Sequence, residues 1–180
     1  MAKAKLRRIV ANRLGTLALG LNGRVDRAVE DATGLGASDN AALVLLGATP
    51  GVTMGGLERA LGLSQSATVR LIDRLQRAGH VVRRPGRDKR ELALYLSALG
   101  LDARNRILDA RLDALENITR DLGKDERRAL LRLIDRLLPE IRSDPGGADH
   151  ACRMCDIDMC RRRDCPMQPL TVDILGEALP

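Results

Sequence analysis

Residues 62–100 read GLSQSATVRLIDRLQRAGHVVRRPGRDKRELALYLSALG, and the order of signals within them decides the fold. Gly62, Leu63 and Ser64 form a tight turn whose serine caps a helix over 65–78, because a serine oxygen can accept from an otherwise orphaned amide of the first turn. Val69, Leu71, Ile72 and Leu75 are expected to pack inward. Gly79 ends the helix, where a left-handed residue is wanted. A short strand follows over 80–83, then a loop over 84–90. A returning strand over 91–96 places Leu92, Leu94 and Leu96 on one face. Upstream, Thr53 caps a short helix over 54–61. Two short helices joined by a glycine-containing turn and followed directly by a hairpin make a winged helix-turn-helix.

Outward from this segment the chain is helical. Leu6, Ile9, Val10, Leu14, Leu17, Leu21, Val25, Ala28 and Val29 recur at three- and four-residue steps, and Gly34 and Gly36 end that helix. Ser38 or Asp39 caps a second helix that stops at Thr49-Pro50-Gly51. Ser97 caps a long helix over 98–122, Gly123 stops it, and 124–141 carries a further apolar stripe through Leu130, Leu133, Ile134, Leu137 and Leu138. Ser143-Asp144-Pro145-Gly146-Gly147 is a linker. The organisation is therefore an N-terminal dimerisation helix (1–37), a winged helix-turn-helix domain (38–97), C-terminal dimerisation helices (98–142), and a linker with a cysteine-rich tail (143–180). The fold class is mainly α with a small β wing. The flanking stripes exceed what one small winged domain can cover, so two-fold self-association is expected, with an internally packed monomeric bundle as the alternative.

Composition narrows the partners. The 180 residues are 44% apolar and 30% charged, enough for a real core, with a formal charge of +6. One Tyr and no Phe or Trp leave almost no surface for stacking unpaired bases, so duplex DNA is favoured over single strands. The charge is uneven: residues 1–97 hold 16 basic and 8 acidic side chains, whereas 98–180 hold 14 and 16. Between Ser64 and Arg90, eight basic residues face only Asp73 and Asp88. Single arginines on a helix commonly just solvate it; this concentration over a helix and its adjoining loop is the footprint of a phosphate-binding surface.

A helix about 10–12 Å wide fits the major groove, with its first residues at the base edges. Ser64, Gln65, Ser66, Thr68, Val69 and Arg70 occupy that position, where Gln suits adenine, Arg suits guanine and an apolar group suits the thymine methyl. Arg74 and Arg77 are better placed for phosphate, and Arg84, Lys89 and Arg90 extend the basic DNA-binding set into the loop. Arg87, beside Gly86 at the wing tip, can enter a narrow, electronegative minor groove.

These residues resemble the MarR family of winged-helix transcription regulators. The resemblance rests on Asp73-Arg74-Leu75 and Ala78-Gly79 at the end of the recognition helix, Val82-Arg83, an Asp88-Lys89-Arg90 wing, and Leu96-Ser97-x-x-Gly100. It follows the order of helices over about 6–142 and is specific over about 53–100. It implies a homodimer entwined through the first, fifth and sixth helices on a pseudo-palindromic operator. It also implies that Asp88 braces the wing and that Arg87 or Arg90 enters the minor groove. A small-molecule effector between the dimerisation helices and the DNA-binding lobe is implied as well, though the lack of aromatic residues leaves its pocket without a signature. Repression by promoter occlusion is the expected mode, with release when the two recognition helices leave the spacing of successive grooves.

All four cysteines lie in one short stretch, Cys152, Cys155, Cys160 and Cys165, rather than spread across a secreted disulfide framework. Two Cys three positions apart grip one metal, and two more complete the tetrahedral thiolate shell of structural Zn²⁺. Arg153, Arg161, Arg162 and Arg163 can offset the charge of such a site, and Met154 and Met159 can shield it. One Zn²⁺ per chain is expected, with His150 replacing one thiolate as the variant. The rival is a reversible disulfide pair that reports oxidation; iron–sulfur ligation is a weaker option, its spacing unmatched. The basic, partly apolar start is broken by Asn12 and Arg13 and is not followed by a cleavage motif, and no stretch nears the roughly 18 apolar residues of a membrane span. A cytoplasmic location is expected. No phosphate loop, nucleophile elbow or paired-carboxylate arrangement points to an enzyme. The competing class is a protein–protein adaptor on a winged-helix scaffold.

Overall fold

Apolar side chains at helical spacing need a common interior, and the sheet and helices of the central segment supply it. The computed structural model of the chain describes residues 2–86, 92–142, 151–156, 159 and 166–167. Along them run α1 (Ala2–Thr33), α2 (Ala37–Ala48), β1 (Val52–Thr53), α3 (Met54–Leu61), α4 (Gln65–Arg77), β2 (Val81–Pro85), β3 (Leu92–Leu96), α5 (Ala98–Thr119) and α6 (Lys124–Arg142). The architecture is mainly helical with one small antiparallel sheet, ordered β1-β3-β2. Its register pairs Val52 with Leu94, and Val81 through Pro85 with Leu96 back to Leu92. The core gathers Val29 of α1, Leu43 and Leu46 of α2, Leu57 of α3, Leu71, Ile72 and Leu75 of α4, Leu94 of β3, and Ile107 of α5. Truncating any of these large side chains to Ala is expected to cost about 2–5 kcal/mol.

Three caps follow the sequence. Thr53 Oγ1 accepts from Gly56 N at 3.2 Å, Ser64 Oγ from Ala67 N at 3.4 Å, and Ser97 Oγ from Gly100 N at 3.1 Å. The fourth expected cap does not form: α2 begins after Gly36 with no side-chain cap, and Ser38 and Asp39 lie within its first turn. Asp39 is drawn inward by an arginine of α4. Asn40 is also buried; its Nδ2 donates to Leu35 O and its Oδ1 accepts from Thr33 Oγ1, closing the joint between α1 and α2.

The strands also depart from expectation. β1 is two residues long, too short to carry a periodic signal, and exists because Val52 and Thr53 pair with β3. Arg84 and Pro85, expected in the loop, extend β2. Leu92 does not share a buried face with Leu94; it is exposed at the far end of the ribbon opposite Pro85. α5 ends at Thr119, short of the expected boundary.

The Leu96-Ser97-x-x-Gly100 segment has a concrete job. Besides capping α5, Ser97 Oγ donates to Gly79 O at 2.6 Å, and Ser97 N donates to His80 O at 2.9 Å. A Cβ on Gly100 would collide with that same His80 carbonyl. The start of α5 is thus locked to the end of α4, and the wing strands spring from a fixed base.

The flanking helices leave their stripes open in the single chain. Leu6, Val10, Leu14 and Leu17 of α1 and Leu131, Leu133, Leu137 and Ile141 of α6 are exposed, and α6 has no buried residue. The internally packed bundle is not what the chain forms. No described helix is long and apolar enough to cross a membrane.

Candidate nucleic-acid interface

The four-residue step of α4 divides its side chains sharply. Thr68, Leu71, Ile72 and Leu75 face the core, whereas Gln65, Ser66, Val69, Arg70, Gln76 and Arg77 face outward. Two expectations are corrected here. Thr68, expected at the base edges, is 1% exposed, and Val69, offered both to the core and to the base-edge face, is 39% exposed and leaves the core reading unmet. The helical phase set by Leu71, Ile72 and Leu75 requires position 68 inside, and the Thr68 hydroxyl is satisfied there by donating to Ser64 O at 3.1 Å. Val69 gains an exposed place among polar neighbours.

Two arginines of the basic cluster are already committed. Arg74, expected on phosphate, holds Asp39 with two contacts, Nη2 to Oδ1 at 2.6 Å and Nε to Oδ2 at 3.2 Å. The hydrogen bond to Asp39 raises the Arg74 pKa above its ordinary value against a smaller opposing effect of burial, so the guanidinium stays charged. Arg83 Nη2 holds Asp73 Oδ1 at 2.6 Å, which ties α4 to β2. α4 is thereby pinned on both flanks, to α2 and to β2. Sequence reasoning missed both braces. The Asp73–Arg83 pair had a signal, opposite charges on adjoining elements; Asp39 lies 35 residues from its partner with no local pattern to announce it.

Arg70, Arg77 and Arg84 remain on the outer surface. Arg77 Nε donates back to Asp73 O at 3.2 Å, leaving its terminal nitrogens outward along the helix end. Arg84 sits over the ring of Tyr95, 5.4 Å from its centroid, so the chain's single aromatic side chain positions a wing cation. Arg87, Asp88, Lys89 and Arg90 lie outside the described residues, as do His150, Cys160 and Cys165. Cys152 and Cys155 are half-buried in one turn, with Cys155 N donating to Cys152 O at 2.8 Å. Met154, between them, packs against the hydrophobic core. Among the described residues no group of three or more His, Cys, Asp or Glu is arranged to hold a metal.

Residues 33–91 match the model of the MarR family. Among solved structures, the chain is similar to the reduced form of MarR from E. coli, at 26% identity and a TM-score of 0.60, over 70% of this chain and 96% of that one. It is similar to a MarR family protein from Bacillus stearothermophilus at 25% identity and a TM-score of 0.67, over 75% of this chain and 96% of that one. A cysteine-to-serine variant of the E. coli protein complexed with operator DNA is similar at 26% identity and a TM-score of 0.55, over 71% of this chain and 94% of that one. The comparison with curated proteins finds no match. The family model matches the winged helix-turn-helix segment, and these neighbours share the winged-helix fold of the chain.

Proposed function

We propose that this MarR-type chain is a cytoplasmic, homodimeric repressor that binds a pseudo-palindromic duplex operator. The observation that carries the reading is the outer face of α4, where Gln65, Ser66, Val69 and Arg70 stand exposed on a helix braced through Arg74–Asp39 and Arg83–Asp73. Such a face enters a major groove, with Gln65 and Arg70 reading base edges and Val69 meeting a thymine methyl. Arg77 and Arg84 hold phosphate, and the wing residues Arg87, Lys89 and Arg90, with Asp88 as brace, reach the neighbouring minor groove. Bracing matters because base readout needs a fixed helix: each good bidentate pair discriminates by about 1–3 kcal/mol only if it is held in register.

The exposed stripes of α1, α5 and α6 supply the dimer seam, since patches of this kind on a soluble chain are covered by a partner. A second copy covers them symmetrically and sets two recognition helices about one duplex turn apart. A small-molecule effector that changes this spacing would release the DNA. The chain works by binding rather than by catalysis.

The cysteine-rich tail holds one Zn²⁺ through Cys152, Cys155, Cys160 and Cys165. Four thiols within so short a polar segment support this, because such a segment cannot bury a core of its own and metal would order it.

Binding to a duplex selected from a random-sequence pool, compared with unselected duplex at two salt concentrations, tests the regulator. A preference of about 10³-fold or more that survives moderate salt supports it; equal affinity for both duplexes overturns it in favour of an adaptor.

A further inference from the structure

Two adjacent arginines of β2 serve opposite faces of the ribbon. Successive strand residues alternate faces, so Arg83 turns toward α4, where Asp73 holds it at 2.6 Å, and Arg84 turns the other way. Arg84 is exposed, and the ion pairs among the described residues leave it without a carboxylate. Its neighbour is the ring of Tyr95, with 5.4 Å between the guanidinium carbon and the centroid. The register brings them together: Arg84 stands opposite Ala93 and Val82 opposite Tyr95, so 84 and 95 are diagonal on one face, a separation that long and aromatic side chains close. The half-buried ring is itself seated by the turn between α2 and β1. Gly51 in that turn has φ +87° and donates its amide to Leu94 O at 2.8 Å. A Cβ on it would come within 2.8 Å of the Tyr95 hydroxyl and 3.2 Å of Cζ, so only glycine supplies both the positive φ and the room for the phenol end.

We infer that Tyr95 is a positioning residue for DNA binding, its ring holding the Arg84 guanidinium in place for a backbone phosphate of the duplex. The inference rests on the DNA-binding reading and adds to it a residue that acts through another. A ring face attracts a cation through its quadrupole without taking an N–H donor into a conventional hydrogen bond. Arg84 therefore keeps its planar fork of donors for phosphate oxygens, which accept two parallel N–H groups. An unsupported arginine on an exposed strand samples many rotamers and loses that freedom when it binds, whereas one already laid on a ring has lost much of it beforehand. Tyr95 thus lowers the entropic cost of the phosphate contact and adds no charge of its own. Arg83 cannot take over the contact, because Asp73 holds it on the other face.

The experiment uses the full chain, a duplex that the wild-type protein selects from a random pool, and a series of salt concentrations. Affinity is measured for the wild type, Tyr95→Phe, Tyr95→Leu, Arg84→Ala and the Tyr95→Leu/Arg84→Ala double variant. Tyr95→Phe keeps the ring face and is expected to bind within about 2-fold of the wild type. Tyr95→Leu is expected to weaken binding by about 2- to 5-fold per bound subunit while keeping the wild-type salt slope, because the charge stays. Arg84→Ala lowers that slope by about 1 per subunit, and in its background Tyr95→Leu weakens binding no further. Undiminished affinity in Tyr95→Leu, a loss in Tyr95→Phe as large as in Tyr95→Leu, or an equal effect of Tyr95→Leu with and without Arg84 overturns the positioning role and leaves the DNA-binding reading standing. A wild-type chain that selects no duplex overturns that reading and the inference together.

Discussion

Arg74 on α4 and Asp39 on α2 meet through two parallel contacts, 2.6 Å and 3.2 Å long, across the junction between the recognition helix and the helix behind it. Asp39 is buried and the arginine is half exposed, so solvent screens the pair without dissolving it. Asp39→Asn keeps the shape and removes the charge. It is expected to lower unfolding stability by about 1 kcal/mol, read from the denaturant midpoint, and to weaken DNA binding because α4 loses one of its two braces.

Arg70 and Arg77 stand on the same helix with different tasks. Arg70→Ala is expected to relax base preference at one position of each half-site by about 1–3 kcal/mol. Arg77→Ala should instead weaken binding to all duplexes alike and reduce the slope of affinity against salt by about 1 per subunit. A selection from random sequence and a salt titration separate the two outcomes.

Thr68 and Val69 reverse the ordinary expectation for their residue types. Thr68→Val removes only a hydroxyl that bonds within its own helix, so sequence preference should be unchanged and stability should move by about 1 kcal/mol or less. Val69→Ala should leave the denaturant midpoint nearly unchanged while altering the preferred base beside the groove-facing methyl contact.

Gly100 sits where a side chain would strike the His80 carbonyl. Gly100→Ala is expected to destabilise the fold by about 1–3 kcal/mol, because the start of α5 must move away from a backbone group that cannot rotate aside. Thermal unfolding beside the wild type measures it.

Leu133 and Leu137 lie on the open stripe of α6. Leu133→Glu with Leu137→Glu should turn a dimer into a monomer in sedimentation while the central lobe keeps its helical signal. DNA affinity should fall with it, since each half-site loses its tethered neighbour.

What the residues disclosed and what they withheld divide along the range of the interaction. Thr53, Ser64 and Ser97 could be read as caps because a cap is satisfied three residues away, and Gly79 because its constraint is its own backbone. β1 could not be read, since two residues gain strand character only from Leu94 and Ala93 of β3. Asp39 looked like a cap for the same local reasons and was captured by a residue far along the chain. The inward position of Thr68 was legible in the spacing of Leu71, Ile72 and Leu75, had phase been weighed above hydrophobicity. Of the residues expected to face DNA, Gln65, Ser66, Val69, Arg70 and Arg77 stand exposed on one helix, while Arg74 serves the scaffold through Asp39.

The most direct test of the account is a hydroxyl-radical footprint of the full chain on the duplex it selects. The account predicts two equivalent protected half-sites centred about one helical turn, roughly 10 base pairs, apart, with protections over the flanking minor grooves where the wings reach. A single unsymmetrical protection, or none above that on unselected DNA, would contradict it.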